Sequence, residues 1–303
     1  MIINKIKYLL LNNPKLLCFL LISQISPGII NFKKYKSFKS LNLKNSYFTI
    51  SLDCDTIEDL KIIPKLQNKF TDMNIYPTYA VPGELILKDK NLFKDLKSQG
   101  SEFINHGFNL HTEYNKKNKR YKSTHFYNDY TNEQIKNDIT QGHEILSELL
   151  NEEPKGFRTP HFGTIVKEKT KQHIYKILKD LNYLFSTSTI PSDQFWSKPI
   201  YKKNEIIEIP ITGSFDRPNI IMDSWNFKYA ENRYFRKNDY SKQILKIKDY
   251  FKKKNTNFFI NIYVDPSHVY YWDNFFEAIN SLQQLVNINY MNFIKNLNLQ
   301  LKS

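Results

Sequence analysis

The sequence predicts an α/β fold in which parallel strands alternate with helices, as an open sheet or closed into a barrel. Three observations lead to this prediction. Short β-branched and aromatic runs alternate with segments of helical periodicity from residue 46 onward. Acidic, imidazole or guanidinium side chains follow several of the predicted strands. A chain of 303 residues that is 41% hydrophobic can bury a sizeable core.

The first predicted strand, residues 47–52, is followed by two carboxylates, Asp53 and Asp55. The carboxyl ends of strands in such sheets open onto the crevice where ligands bind. Two carboxylates there can divide the chemistry, one holding a cation while the other moves a proton. The alternative interpretation is that Asp53 or Asp55 only caps the following helix, a position that aspartate favours.

The remaining elements follow from periodicity and capping patterns. Helical spacing is found in residues 57–74, 91–99, 131–151, 167–182, 241–253, 272–286 and 289–297. Further strands are predicted over residues 75–81, 101–105, 183–188, 206–211 and 257–264. Pro64 predicts irregular first turns in the first of these helices, and Thr131 with Gln134 forms a capping box. Because residues 46–303 contain no linker or repeat, we expect a single domain there.

Residues 1–45 form a basic extension that differs from the rest. Lys5, Lys7 and Lys15 precede or border an apolar run, residues 16–22, that is too short to span a bilayer. No small-x-small cleavage site follows the run, so the sequence predicts a cytoplasmic protein. Two interpretations of the extension stay open: peripheral contact with an anionic membrane, or a helix packed on the domain.

The net charge of +14 is a weak guide to partners. Much of the excess is lysine interleaved with asparagine and isoleucine along the whole chain, which indicates a compositional bias. No zinc-finger spacing or RNA-recognition motif is present, so no nucleic-acid partner is expected. The two cysteines, Cys18 and Cys54, imply no disulfide framework. Nothing in the sequence indicates the oligomeric state.

Several strand ends carry side chains suited to chemistry. His106 and His111 follow the strand 101–105, and Arg158 follows the segment 154–157. Asp265 and His268 follow the strongly apolar strand 257–264. One aspartate with two histidines is a ligand set suited to Zn²⁺ or a similar divalent ion.

The order of these motifs resembles that of the NodB-like polysaccharide deacetylases, which are metal-dependent carbohydrate esterases. The resemblance covers about residues 47–297 and includes Arg158-Thr-Pro160 and Ile207-Glu-Ile-Pro210. It implies a distorted (β/α) barrel as the fold of residues 46–303. It also implies removal of N-acetyl or O-acetyl groups from a polysaccharide or oligosaccharide, in glycan or cell-envelope polysaccharide metabolism.

The resemblance implies a role for each candidate. Asp55, His106 and His111 would hold the divalent ion, Zn²⁺ or alternatively Co²⁺ or another metal. Asp53 would be the base that takes a proton from water, and Arg158 would keep it ionised. His268 would protonate the departing amine. Asp265 would either orient His268 or cap the following turn.

Two features depart from the family pattern. The family's histidines are usually four residues apart, whereas His106 and His111 are five apart, so the segment must be a loop or distorted turn to chelate one ion. His125 is the alternative ligand. Asp265 stands where a histidine or Leu-His is common in the family.

Two rival functions remain open at this stage: hydrolysis of a non-glycan amide, and a degenerate, non-catalytic member that binds a glycan. If the protein binds a glycan, aromatic rings could stack on the faces of its sugars. The alternative interpretation is that these rings pack in the core or at the rim of the site. The candidates are Trp196, Trp225, Tyr270, Tyr271 and Trp272.

Overall fold

The computed structural model describes residues 7, 9–118, 120–164, 167–229 and 234–297. Lys5 and the last residues of the predicted domain, 298–303, lie outside the described residues. The strands are β1 (Tyr47–Asp53), β2 (Thr78–Val81), β3 (Glu102–Asn105), β4 (Thr112–Asn115), β5 (Arg120–Ser123), β6 (Gly156–Phe157), β7 (Phe185–Ser186), β8 (Tyr201–Lys203), β9 (Ile206–Glu208), β10 (Phe259–Val264) and β11 (Val286–Asn287).

Seven parallel strands form the main wall of the fold, in the order β10-β1-β2-β3-β6-β7-β9. β8 pairs antiparallel with β9, β11 lies beside β1, and β4 with β5 makes a separate hairpin. Between β9 and β10 the wall is bridged by Thr212 and Asn261. The Thr212 amide donates to the Asn261 carbonyl (2.9 Å), and the Asn261 amide donates to Thr212 Oγ1 (2.9 Å). The predicted distorted (β/α) barrel is confirmed.

Helices surround this wall. They are α1 (Pro14–Ile25), α2 (Pro27–Leu41), α3 (Ile57–Asp72), α4 (Gly83–Lys88), α5 (Lys90–Ser98), α6 (Asn132–Leu150), α7 (Glu168–Asp180), α8 (Pro191–Trp196), α9 (Tyr240–Lys253), α10 (Pro266–Val269), α11 (Asp273–Leu282) and α12 (Tyr290–Asn296), with a π-helical turn at Trp225–Tyr229. The capping box at Thr131 and Gln134 starts α6 as predicted. Pro64 lies inside α3 without ending it.

The predicted elements are present, with shifted ends. The strand predicted over 75–81 begins only at Thr78, because Pro77 lacks the amide hydrogen that strand pairing needs. The strand predicted over 183–188 pairs only at Phe185–Ser186, and the helix predicted over 272–286 ends at Leu282. The sequence analysis missed the β4–β5 hairpin, whose alternating polar residues carry no apolar period.

The core lies on both sides of the sheet. Every residue of β1 and β10 is buried, as expected for central strands of a parallel sheet covered on both faces. The barrel interior also contains a polar network around Tyr290, whose hydroxyl bonds to Asn261 Oδ1 (2.6 Å). Thr49 Oγ1, also buried, donates to the Ile288 carbonyl (2.5 Å). Buried hydroxyls and amides are tolerated there because each finds a partner.

The described part of the N-terminal extension is packed on the barrel domain. Phe19 and Ile30 form an apolar cluster with Phe195. Ser23 Oγ donates to Asn219 Oδ1 (2.6 Å), and Asn31 Nδ2 donates to the Phe215 carbonyl (2.9 Å). The packed-helix interpretation therefore describes α1 and α2.

No single described helix has both the length and the apolar composition needed to cross a membrane, although α1 and α2, bent by 111°, meet those criteria as a pair.

Gly156 should be intolerant of any side chain. A Cβ at this position of β6 would lie 2.2 Å from Phe185 Cζ and 2.5 Å from Ile104 Cγ2. Gly156→Ala should therefore lower the free energy of unfolding by about 1–3 kcal/mol, measured by urea unfolding. Gly28→Ala is the control: its Cβ would meet nothing within 4 Å, and the change should stay within about 1 kcal/mol. Equal stability of the two variants would contradict the packing of β6.

Candidate active site

The side chains predicted from the sequence meet at the carboxyl end of the parallel strands. Asp53 is the last residue of β1, His106 directly follows β3, Arg158 follows β6 and Asp265 follows β10. All four side chains are buried. Because parallel strands bring their carboxyl ends to one edge of the barrel, residues far apart in the chain become neighbours there.

Asp55, His106 and His111 form a compact group of possible ligand atoms. Asp55 Oδ1 lies 2.8 Å from His111 Nε2 and 3.4 Å from His106 Nε2, and the two Nε2 atoms are 3.1 Å apart. Ligands bound to Zn²⁺ at about 2.0–2.2 Å are separated from one another by roughly 3.3 Å in a tetrahedral site. The three side chains therefore have the donor types and the spacing of a divalent-cation site.

The ring orientations of the two histidines support this fit. His106 Nδ1 lies 2.8 Å from the Arg158 carbonyl, and His111 Nδ1 lies 3.3 Å from the Asn109 carbonyl. Carbonyl oxygens only accept, so both Nδ1 atoms carry the proton and both Nε2 atoms of the neutral rings are acceptors. Because neither Nε2 donates in these neutral rings, Asp55 Oδ1 has no hydrogen-bond partner. Three acceptors facing one another are stabilised by a positive charge between them.

The pKa shifts of Asp55 and His111 also indicate that a positive charge is favoured between these side chains. Burial acts to raise the pKa of Asp55, but His111 and His106, when protonated, hold that pKa well below its ordinary value through charge and hydrogen bonding. Burial acts to lower the pKa of His111, and the adjacent Asp55 carboxylate outweighs it, so that pKa is raised. A proton or a metal ion bound between Asp55, His106 and His111 supplies this positive charge.

The five-residue spacing of the histidines is accommodated by a loop. Residues 106–111 have no helical or strand structure, and Gly107 has a φ of +81°, in the left-handed region. The alternative ligand, His125, lies elsewhere: its Nδ1 contacts the Tyr130 hydroxyl at 2.5 Å. Of the two candidates, the structure places His111 and not His125 beside Asp55.

A residue that the sequence analysis missed holds this loop. The Asp138 carboxylate of α6 accepts hydrogen bonds from the Phe108 amide (3.2 Å), the Asn109 amide (2.9 Å) and side chain (2.5 Å), and the Tyr127 hydroxyl (2.6 Å). α6 also approaches the loop closely, since a Cβ at Gly142 would lie 2.4 Å from the Gly107 oxygen. Asp138 lies on the apolar face of the predicted helix 131–151, and this unusual position of an acidic residue could have identified it from the sequence.

Asp53 is held by Arg158 in the barrel interior. One Asp53 oxygen accepts a short hydrogen bond from Arg158 Nη1, and the other lies 3.6 Å from His106 Nε2. From the sequence, Arg158 was expected to keep Asp53 ionised. The guanidinium does act in that direction, but burial is the larger effect and raises the pKa of Asp53 above its ordinary value.

Neither carboxylate caps the helix that follows. The N-cap of α3 is Thr56, whose hydroxyl accepts from the Asp59 amide (3.1 Å) while Asp59 Oδ2 accepts from the Thr56 amide (2.9 Å). Because Thr56 and Asp59 complete the cap, the capping interpretation of Asp53 and Asp55 is not supported.

His268 is oriented by Asp265. His268 Nδ1 lies 3.1 Å from Asp265 Oδ2 and 3.0 Å from Ser224 Oγ, and Ser224 Oγ donates to Asp265 Oδ2 (2.6 Å). Trp225 Nε1 donates to Asp265 Oδ1 (3.3 Å). Asp265 makes no capping hydrogen bond through its side chain to α10. The geometry thus favours orientation of His268 over capping, and it adds Ser224, which the sequence analysis did not identify.

Aromatic rings surround His268. Its ring lies 4.1 Å from that of Tyr229, 4.5 Å from Tyr121 and 5.1 Å from Trp225, measured between centroids. Of the aromatic residues proposed from sequence, only Trp225 reaches this point. Trp272 is buried in the core, and Trp196 donates to the Lys15 carbonyl (3.0 Å). Tyr121 comes from the β4–β5 hairpin that the sequence analysis missed.

Tyr270 and Tyr271 pack edge-on against each other at 4.5 Å, beyond the short helix α10 that carries His268. Tyr271 is largely exposed. Neither ring contacts His268 among the ring contacts of the described residues.

A groove of about 900 Å³ lies next to the ligand group. The β4–β5 hairpin forms one side and the start of α3 the other. Thr112, which lines the groove, donates from Oγ1 to Asp55 Oδ2 (3.4 Å). This volume lies within the range of small-molecule binding sites, about 300–1,000 Å³.

Two other residues near the motifs have structural contacts. His161 Nε2 lies 2.9 Å from the His111 carbonyl and 2.8 Å from the Thr124 carbonyl, tying two loops together. Glu208, in the Ile207–Pro210 motif, is fully buried and accepts from Thr189 Oγ1 (3.0 Å). Glu208 contacts none of the ligand group.

The comparison with family models matches residues 47–184 to the family described as polysaccharide deacetylase. A putative polysaccharide deacetylase from Mycobacterium smegmatis has a similar structure, with a TM-score of 0.60 and 15% identity over 84% of this chain and 90% of that one. A probable polysaccharide deacetylase from Pseudomonas aeruginosa PAO1 has a TM-score of 0.59 and 11% identity, over 83% of this chain and 90% of that one. Puue allantoinase has a TM-score of 0.52 and 11% identity, over 82% of this chain and 84% of that one. No curated protein matches the sequence significantly. The structural similarities support the fold.

Asp138→Asn should loosen the histidine loop. The amide cannot accept from all four donors that now bind the carboxylate, and hydrogen bonds to charged groups contribute about 1.5–3 kcal/mol each. We expect faster hydrogen exchange in residues 107–110, measured by mass spectrometry, with α6 retained. Asp249→Asn, at an exposed helical aspartate, is the control. Unchanged protection of residues 107–110 would show that Asp138 does not hold the loop.

Proposed function

We propose that this chain, which belongs to the polysaccharide deacetylase family, hydrolyses N-acetyl groups of a glycan with a divalent metal ion held by Asp55, His106 and His111. The observation that carries the proposal is the buried convergence of those three donor atoms beside Asp53. The metal would supply Lewis-acid activation of the acetyl carbonyl and of water. Zn²⁺ suits an aspartate with two histidines, and Co²⁺ is the alternative.

Asp53 is the proposed general base. Its Oδ1 is bound to Arg158, which leaves Oδ2, facing His106 Nε2, to accept a proton. Its raised pKa makes the carboxylate a stronger base than an exposed aspartate. Arg158 also fixes the position of the carboxylate, because the guanidinium has further hydrogen bonds to Ser51 Oγ (2.8 Å) and the Tyr290 hydroxyl (3.0 Å).

His268 is the proposed acid for the departing amine. An amine is a poor leaving group unless it is protonated, so the reaction needs a donor at this point. Asp265 holds Nδ1, which directs Nε2 to the substrate and stabilises the imidazolium form. Trp225, Tyr121 and Tyr229 surround the ring and offer apolar faces to a sugar.

For the bond that is cleaved and the substrate, we propose an N-acetyl group on a sugar unit. The groove of about 900 Å³ beside Asp55 has room for a sugar unit and is lined on one side by the hairpin. The same fold occurs in an allantoinase, so amide hydrolysis on a non-glycan substrate is the rival. Acetate release from N-acetylated oligosaccharides, O-acetylated sugars and simple amides would distinguish these cases. Binding of oligosaccharide without acetate release, with metal present, would favour a non-catalytic glycan-binding protein.

Metal binding should separate His111 from His125. His111→Ala removes one of three converging donors and should lower the affinity for added Zn²⁺ by at least about 10²-fold, whereas His125→Ala should leave it unchanged. Isothermal titration of chelator-treated protein measures both, and chelator should abolish acetate release until Zn²⁺ or Co²⁺ is restored. Loss of metal in His125→Ala with full binding by His111→Ala would reverse the ligand assignment.

Asp53→Asn should separate catalysis from metal binding. Asparagine keeps the shape of the side chain but cannot take the proton, so acetate release should fall by about 10²-fold or more. Zn²⁺ should still bind, because Asp55 and both histidines remain. His268→Asn should cost a similar factor, again with metal retained. Near-wild-type turnover by metal-loaded Asp53→Asn would remove the proposed base.

A further inference from the structure

The two N-terminal helices present an apolar face to solvent. On α1, Cys18, Leu21 and Ile25 are spaced three and four residues apart and lie on one side of the helix, away from the buried Phe19 and Ser23. Ile25 is 82% exposed and Leu21 52%. A helix that is apolar all round but buried on one side only leaves an apolar stripe uncovered.

Exposed apolar residues are also found on α2, beyond the bend at Ser26. Ile29 and Phe32 are 53% and 47% exposed, on the side opposite the buried Ile30 and Phe38. We define the outer face as the exposed side of both helices. Its residues are Lys15, Cys18, Leu21, Ile25, Ile29, Phe32, Lys33 and Lys36. Large exposed apolar areas of this kind mark interaction sites.

The charged side chains of the extension that carries the face are all positive. The first acidic residue of the sequence is Asp53, whereas eight lysines precede it. Lys36 Nζ lies 4.9 Å from the Phe32 ring, and Lys33 Nζ lies 4.3 Å from the Phe195 ring. The Lys36 ammonium is thus held at the apolar stripe, and the Lys33 ammonium lies where α2 meets Phe195 of the domain. A second copy of this face would bring like charges together, which argues against self-association.

We propose that the outer face binds the surface of an anionic phospholipid bilayer. The apolar side chains would enter the boundary between head groups and acyl chains, and the lysines would contact the phosphates, as in interfacial amphipathic helices. The inner faces of both helices stay packed on the barrel, so binding would fix the catalytic domain against the membrane. This inference does not depend on the deacetylase activity.

Cys18 provides a direct probe of the face. It is exposed on α1, whereas Cys54 is fully buried, so a thiol-reactive, polarity-sensitive fluorophore should label Cys18 in the full chain. Vesicles of phosphatidylcholine with phosphatidylglycerol should shift the emission to the blue and sediment the protein, and high salt should weaken both effects. No shift and no sedimentation would overturn the proposal. Equal binding to pure phosphatidylcholine would overturn its electrostatic part.

Substitutions locate the binding to the outer face. Lys33→Glu with Lys36→Glu should weaken vesicle binding by about 30-fold or more, and Ile25→Asn with Ile29→Asn should also weaken it. The controls are Lys136→Glu with Lys176→Glu and Leu245→Asn, which change exposed helical residues elsewhere. Circular dichroism checks that each variant is folded. Equal loss in the controls, or lipid-free dimerisation that Ile25→Asn abolishes, would overturn the proposal.

Discussion

The buried ion pair between Arg158 and Asp53 is the interaction on which the candidate site depends. The guanidinium is fully buried, its Nη2 donates to Ser51, Thr187 and Tyr290, and its Nε donates to the Thr187 carbonyl. Burying a charge is costly unless it is paired and hydrogen-bonded, and removal of one partner from such a pair typically costs about 3–5 kcal/mol. The Arg158 carbonyl accepts a hydrogen bond from His106 Nδ1, and the Arg158 backbone amide donates one to the Asn105 carbonyl. Arg158 therefore fixes the proposed base and one proposed metal ligand at once.

Two carboxylates that are only two residues apart have opposite environments. Asp53 lies at the end of a buried strand, where burial outweighs its arginine and raises its pKa. Asp55 lies just beyond, where the imidazoles of His111 and His106 outweigh burial and lower its pKa. Neighbouring carboxyls with pKa values pushed apart are the usual basis of divided roles in hydrolases. One is suited to accepting a proton and the other to holding a cation.

Elements outside the strand framework complete the proposed acid. Tyr121 of the β4–β5 hairpin and Tyr229 of the π-helical turn lie against the His268 ring. Ser224, at the start of that turn, binds both His268 and Asp265. Irregular helical turns of this kind frequently occur at functional sites. The parallel strands thus position the carboxylates and Arg158, whereas the connecting segments position and enclose His268.

The sequence by itself determined the α/β class, most elements and the identity of the strand-end residues, because strand and helix periods and the placement of polar residues after strands are local properties. The choice of a distorted barrel over an open sheet came from the resemblance to a family. It could not decide between His111 and His125, since both lie in loops whose paths are fixed by Asp138 and Tyr130. It could not show that burial outweighs Arg158 at Asp53, or that Asp265 and Ser224 converge on His268. The hairpin was missed because its strands contain no apolar or aromatic residue besides Tyr114 and Tyr121. These points were decided only by tertiary structure, because they depend on distances and burial between segments far apart in the chain.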